Sequence, residues 1–224
     1  MRVKNRFLEE ELAKKRYNEP MDYSTKYLSA NDKIDVNSND LYYFVNYYQW
    51  NKVKDLPKTD RKYLNTTRIL NFKKGYKDCY GYFAKCFTSH IKDFGNEEWI
   101  LCSIPGHAQT SASPNHMDNF FKYLYLPNNM HPTIGLIIRG KAMLEKHGAN
   151  YGERTVQKDI DSFKIGNTRN IQGQNIIIFD DITTSGCSLV AARQFLKARG
   201  AKKVVCIALG KTAEDYGYYD GLPF

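Results

Sequence analysis

Apolar positions along this chain fall into short runs separated by stretches of helical spacing. Ile176, Ile177, Ile178 and Phe179 are consecutive, which suits a strand buried on both faces, and the acidic pair Asp180-Asp181 predicts where that strand surfaces and stops. Beyond it Leu189, Ala192 and Leu196 recur at helical spacing up to Arg199, with Gly200 as the predicted stop. Trp99 to Ile104, Ile134 to Ile138 and Val204 to Leu209 read as further strands. Helices are predicted through Tyr80, Phe83, Ala84, Phe87 and Ile91, closed by Gly95, and again from His116 to Tyr125. This alternation predicts an α/β fold: a parallel sheet flanked by helices, with right-handed crossovers and a site at the carboxyl ends of the strands.

The amino-terminal part reads differently. Residues 3–17 carry Phe7, Leu8 and Leu12 on one stripe, with Glu10-Lys14 and Glu11-Lys15 as supporting pairs, and Pro20 ends the helix this predicts. Met21 to Asp40 is polar and turn-prone, Leu41 to Trp50 is a dense aromatic and β-branched run expected as strand or hairpin, and Lys52 to Lys62 is expected as a loop. The expected division is an aromatic-rich α+β appendage over residues 1–65 and a core over 66–224. Gly148 to Gln174 is polar with little periodicity, as expected of a mobile cover over a site.

Candidate chemistry concentrates in Asn175 to Ser188, NIIIFDDITTSGCS. After the two acids, Ile182, Thr183, Thr184, Ser185, Gly186, Cys187 and Ser188 make a hydroxyl-rich turn that opens a helix, where N–H groups and the positive dipole end favour phosphate. Ionised carboxylates accept but do not donate, so Asp180 and Asp181 suit paired hydroxyls. The chain has neither GxxxxGK[ST] nor GxGxxG at this point, which removes two common phosphate-binding readings. The competing reading is a helix cap, since Asp, Thr and Ser are ordinary N-cap residues. A second loop, Pro105, Gly106, His107 and Ala108, follows the Trp99 to Ile104 run, and its amides can form an anion nest. Arg139 and Lys141 stand at the exit of the Ile134 to Ile138 run, and Arg154 lies in the polar segment beyond.

Composition narrows the setting. The 224 residues carry a formal charge of +9, which favours anionic ligands and allows weak nucleic-acid binding, and 42% hydrophobic content fits a globular chain. Seventeen Tyr and twelve Phe beside scattered Lys and Arg offer stacking surfaces, although such stripes ordinarily pack a core. No apolar run approaches the roughly eighteen residues a membrane span needs, and residues 1–20 lack the apolar middle of a signal peptide, so a cytoplasmic protein is expected. Five Cys without CxxC, and five dispersed His without HExxH, argue against a disulfide framework or a zinc site.

IIIFDDITTSG resembles the phosphoribosyl-diphosphate (PRPP) binding motif of type I phosphoribosyltransferases. The resemblance implies that Asp180 and Asp181 hold the ribose 2′- and 3′-hydroxyls, that the loop to Ser188 wraps the 5′-phosphate, and that Pro105 to Ala108 receive pyrophosphate. Over Thr66 to Thr212 the order of segments is most similar to the ComF-like branch, with two departures. The amino-terminal Cys-rich zinc module is absent, and Ser113 to Phe120, SPNHMDNF, replaces an RGFNQ-type patch and its arginine, a place Arg139 or Arg154 could fill. The implied reaction transfers the phosphoribosyl group of PRPP to a nitrogen nucleophile. Mg²⁺ would be chelated mainly by PRPP, Lys141 or Arg154 would stabilise charge, and His107 is a geometric candidate for a base. Nucleoside monophosphate as ligand and a homodimer are also compatible with the resemblance. The alternatives are a regulator that senses PRPP or nucleotide without turnover and a competence-like DNA-handling accessory.

Overall fold

The computed structural model describes residues 25–106, 115–140, 156–167 and 169–213. Its centre is a six-stranded, wholly parallel sheet. The strands are β1 (Thr25–Tyr27), β2 (Leu41–Tyr47), β3 (Trp99–Ser103), β4 (Met130–Pro132), β7 (Asn175–Thr183) and β8 (Lys203–Thr212), in spatial order β1-β2-β8-β7-β3-β4. The α/β parallel architecture expected from the apolar runs is therefore the one observed.

Side chains alternate across the central strands, so both faces are buried. Ile177, Phe179, Val205, Ile207 and Leu209 face one core together with Phe72, Phe83, Phe87 and Phe120. These aromatic residues come from α2 (Arg61–Lys73), α3 (Lys77–Thr88) and α4 (His116–Phe121), which follow the short α1 (Trp50–Val53). Ile176, Ile178, Cys206 and Ala208 face the opposite core with Leu189, Phe195 and Ile160 from α6 (Cys187–Lys197) and α5 (Val156–Ser162). The sheet is thus the middle layer of three.

Several local expectations are corrected. The sheet does not stop at the acid pair, because β8 runs alongside to Thr212 and pairs Asp180 with Ala208, Ile182 with Gly210 and Thr183 with Lys211. The Ile134 to Ile138 run does not join the parallel sheet. β4 takes that edge, ending at Pro132, and β5 (Ile137–Arg139) instead pairs antiparallel with β6 (Phe163–Ile165) as a separate ribbon. The aromatic run from Leu41 is a strand, as expected, and it is hydrogen-bonded to β8, so strands on both sides of residue 65 share one sheet. Part of the expected loop and the stretch after it form α2, whose buried face includes Asn65 and Thr66 beside Ile69 and Phe72, which blurs the apolar stripe. Thr66 Oγ1 accepts from the Tyr48 amide and donates to the Tyr48 carbonyl, tying α2 to the end of β2.

Within the polar segment expected as a cover, residues 156–165 form α5 and β6, which pack Val156, Ile160 and Phe163 into the second core and are pinned by a buried ion pair, Asp159 with Arg139. The helix expected over residues 3–17 lies outside the described residues. Among the described residues no helix is long and apolar enough to cross a membrane.

Candidate functional site

β7 reaches further than its neighbour β3. Their ladder closes at Ser103 opposite Phe179, whereas on the other side β7 stays paired with β8 as far as Thr183 opposite Lys211. The segment Asp180–Thr183 therefore overhangs β3, laddered on one edge and open on the other. A cleft of about 550 Å³ occupies that end of the sheet. It lies beyond the carboxyl ends of parallel strands, where open α/β sheets bind ligands.

Pro105, Gly106, Arg139, Asp180, Asp181 and every residue from Ile182 to Ser188 line this cleft. The structure thus brings the contiguous acid pair and hydroxyl-rich loop together with the start of the second loop, more than seventy residues earlier in the chain. His107, Ala108, Lys141 and Arg154 lie outside the described residues.

The acids bond to amides of their own strand. Asp180 Oδ1 accepts from the Asp181 N–H at 2.9 Å, and Asp181 Oδ1 accepts from the Ile182 N–H at 2.6 Å. The N-cap of α6 is Gly186, which has no side chain to bond the first turn, so neither acid nor any Ser or Thr occupies the cap position. Gly186 has φ +78°, the left-handed region. A Cβ there would sit 3.1 Å from Leu41 Cδ1, so the glycine serves both the loop conformation and close packing onto β2. Thr184 and Thr212 share a hydroxyl–hydroxyl hydrogen bond of 2.9 Å, which joins the loop to the end of β8.

Asp181 is the electrostatic focus. Its Oδ2 lies 2.8 Å from His116 Nε2 and its Oδ1 lies 3.3 Å from Lys73 Nζ. Burial alone would raise its pKa, but the His116 hydrogen bond and the Lys73 ammonium outweigh burial and hold it below the ordinary carboxylate value. His116 is held from behind by an edge-to-face contact with Phe72, ring centroids 5.9 Å apart. The start of α4 is fixed by a capping box in which the Asn115 side chain accepts from the Asp118 N–H and the Asp118 carboxylate accepts from the Asn115 N–H. Ser103 Oγ, at the end of β3, donates to buried Asp118 Oδ1 at 2.9 Å, and burial raises the Asp118 carboxyl.

Arg139 reaches the cleft lining, but its guanidinium is turned inward. It is 1% exposed, donates to Asp159 Oδ1 at 2.8 Å and to Ser162 Oγ, and lies 4.6 Å over the Phe163 ring.

Sequence reasoning missed Tyr47, Gln49, Lys73, Asn115, His116 and Thr212 as lining residues. Asn115 three residues before Asp118 is a legible capping signature, and it would have placed His116 in the first turn of a helix behind the second loop. Lys73 carried no comparable signal, since a lysine in the last turn of a helix is ordinary.

Residues 140–219 match the model of the phosphoribosyl transferase domain family. The ribose-phosphate pyrophosphokinase of Sulfolobus acidocaldarius is 29% identical over an 82-residue alignment that covers 35% of this chain. The chain spans only 28% of the length of that relative. The matched stretch contains β7, its loop and β8, and it supports placing this part of the chain with the type I phosphoribosyltransferase superfamily.

Proposed function

We propose, starting from that phosphoribosyl transferase-like stretch, that the cleft binds PRPP and that the chain transfers its 5-phosphoribosyl group to a nitrogen nucleophile with release of pyrophosphate. One observation carries the reading. An acid pair on a strand overhang is followed directly by a loop with left-handed Gly186 that opens α6, all in one cleft. The relative's name places ribose phosphate among its own substrates, which agrees in substrate class. On the order of segments over Thr66 to Thr212 we further assign the chain to the ComF-like branch.

In this reading the Asp180 and Asp181 carboxylates accept from the ribose hydroxyls, and the amides and hydroxyls of Thr183 to Ser188 hold the 5′-phosphate. Pro105 and Gly106 border the pyrophosphate. The C1–O bond to pyrophosphate breaks with its electron pair leaving on oxygen, the nucleophile's lone pair forms the new C1–N bond, and the intervening C1 is oxocarbenium-like. The protein's share is positioning and charge stabilisation. Among the described residues no three His, Cys, Asp or Glu side chains converge on a metal position. Two adjacent carboxylates are nevertheless hard oxygen donors, compatible with Mg²⁺ carried in on the diphosphate. When bound, Mg²⁺ would neutralise charge on the leaving diphosphate.

The test is calorimetric titration of PRPP with Mg²⁺, followed by a pyrophosphate-release screen over bases and amines. Asp180→Asn should weaken PRPP by roughly 1.5–3 kcal/mol while inorganic phosphate still docks. A wild-type protein that does not bind millimolar PRPP would sink the proposal, and binding without release for any nucleophile would favour the sensing regulator.

A further inference from the structure

Lys73 and His116 are assigned nothing by the reading above, yet both reach the acid pair from outside the matched stretch. They come from different elements, α2 and α4, and are tied together through Phe72, which precedes Lys73 and packs against the His116 ring. Their exposure is telling. All three line the cleft, but the Asp181 side chain is 14% exposed whereas Lys73 and His116 are 42% and 39% exposed, so the two gripping side chains keep more accessible surface than the carboxylate they grip. Arg139, the remaining basic side chain among the described lining residues, is already committed to Asp159 inside the fold.

We infer that Lys73 and His116 are a transferable clamp. In the ligand-free cleft they occupy Asp181, and on binding they pass to the diphosphate of PRPP, which releases Asp181 to the ribose. The inference rests on the PRPP reading and adds which residues contact the leaving group. The physical basis is competition. A diphosphate carries several negative charges against the single charge of Asp181, and half-exposed side chains on helix ends can swing without disturbing the core. Asp181 keeps its Ile182 amide bond throughout, so its carboxylate stays aimed as Lys73 and His116 leave. Diphosphate and ribose binding are then coupled through one carboxylate, and each favours the other. After the C1–O bond breaks, departing pyrophosphate returns the clamp to Asp181, which weakens the hold on ribose and promotes product release.

The clamp makes the two halves of the ligand respond oppositely to one change. Lys73→Met should weaken inorganic pyrophosphate about tenfold or more and leave ribose 5-phosphate equal or tighter, because its competitor for Asp181 has gone. Lys73→Arg should restore pyrophosphate. His116→Asn should shift both ligands in the same directions as Lys73→Met. Calorimetric titration of each ligand separately, with melting temperature as a folding control, reads this out. If Lys73→Met weakens ribose 5-phosphate as much as pyrophosphate, Lys73 only supports Asp181 and the clamp is refuted; unchanged pyrophosphate affinity refutes it too. Wild-type protein that binds ribose 5-phosphate in an Asp180-dependent manner upholds the cleft reading in either case. Wild-type protein that binds neither ligand overturns both.

Discussion

The Arg139–Asp159 pair decides whether Arg139 serves the fold or the chemistry. Arg139 is 1% exposed and Asp159 is fully buried, and Ser162 Oγ, which accepts from the guanidinium, itself donates to the Asp159 carbonyl at 2.6 Å. Asp159→Asn keeps the shape but leaves a guanidinium desolvated against a neutral amide. Breaking a buried pair from one side costs about 3–5 kcal/mol. For a chain of this length roughly 2–4 °C of melting temperature accompanies each kcal/mol, so the expected fall is about 6–20 °C. Arg139→Met should fall similarly, because Asp159 is then the uncompensated charge. Replacing both, Arg139→Met with Asp159→Leu, removes the desolvation problem and should recover most of the loss, while ribose 5-phosphate affinity stays near wild type. Scanning calorimetry with ligand titration on the three variants checks this. Single variants that melt within about 2 °C of wild type while losing PRPP affinity would refute the structural role and return Arg139 to the catalytic set.

Two further outcomes follow from the site. Gly186→Ala forces a left-handed conformation that costs a non-glycine residue roughly 1–2 kcal/mol, and its Cβ presses on Leu41, so a melting fall of about 2–8 °C should accompany weaker phosphate binding; a variant as stable as wild type would contradict the backbone geometry. Because the Asp181 carboxyl is held below its unfolded value of about 3.9, its stabilisation is complete above that pH and lost as pH falls through the depressed value, so the stability gap between wild type and Asp181→Asn, read from urea midpoints, should be largest near neutrality and close in acid; a gap that widens below about pH 4 would contradict the sign.

The parallel sheet was legible because β3, β7 and β8 are buried on both faces, and such strands appear as unbroken apolar runs. The loop after β7 was legible because its residue types carry their chemistry locally. Elsewhere polar groups do structural work that hydrophobic periodicity cannot register. Asn65 and Thr66 face inward on α2, and α5 is anchored by Asp159 and Ser162. Ile134 to Ile138 reads as a strand of the parallel sheet, but Ile137–Arg139 forms a ribbon, because short β4 ends at Pro132 and Thr133 is the last residue bonded to β3, through the Leu101 carbonyl. Lys73 and His116 lay beyond reach because their role depends on Asp181, more than a hundred residues from Lys73 and 65 from His116.

That separation bears on what similarity can reveal about this cleft. The stretch matching the phosphoribosyl transferase domain, residues 140–219, supplies Asp180, Asp181, the loop to Ser188 and Thr212. Tyr47, Gln49, Lys73, Pro105, Gly106 and His116 come from before it. Apart from Tyr47 and Gln49, which sit at the end of β2 on the far side of β8, the division follows the overhang of β7. Its laddered edge, against β8, is built from the matched stretch, whereas its open edge faces β3, α2 and α4, which are not. The half that the proposal assigns to ribose and 5′-phosphate is therefore the half that falls within the matched stretch. In the proposed reading the half that would meet the leaving group and the incoming nucleophile lies outside the matched stretch, so substitutions there should alter nucleophile choice and pyrophosphate affinity before they alter the hold on ribose 5-phosphate.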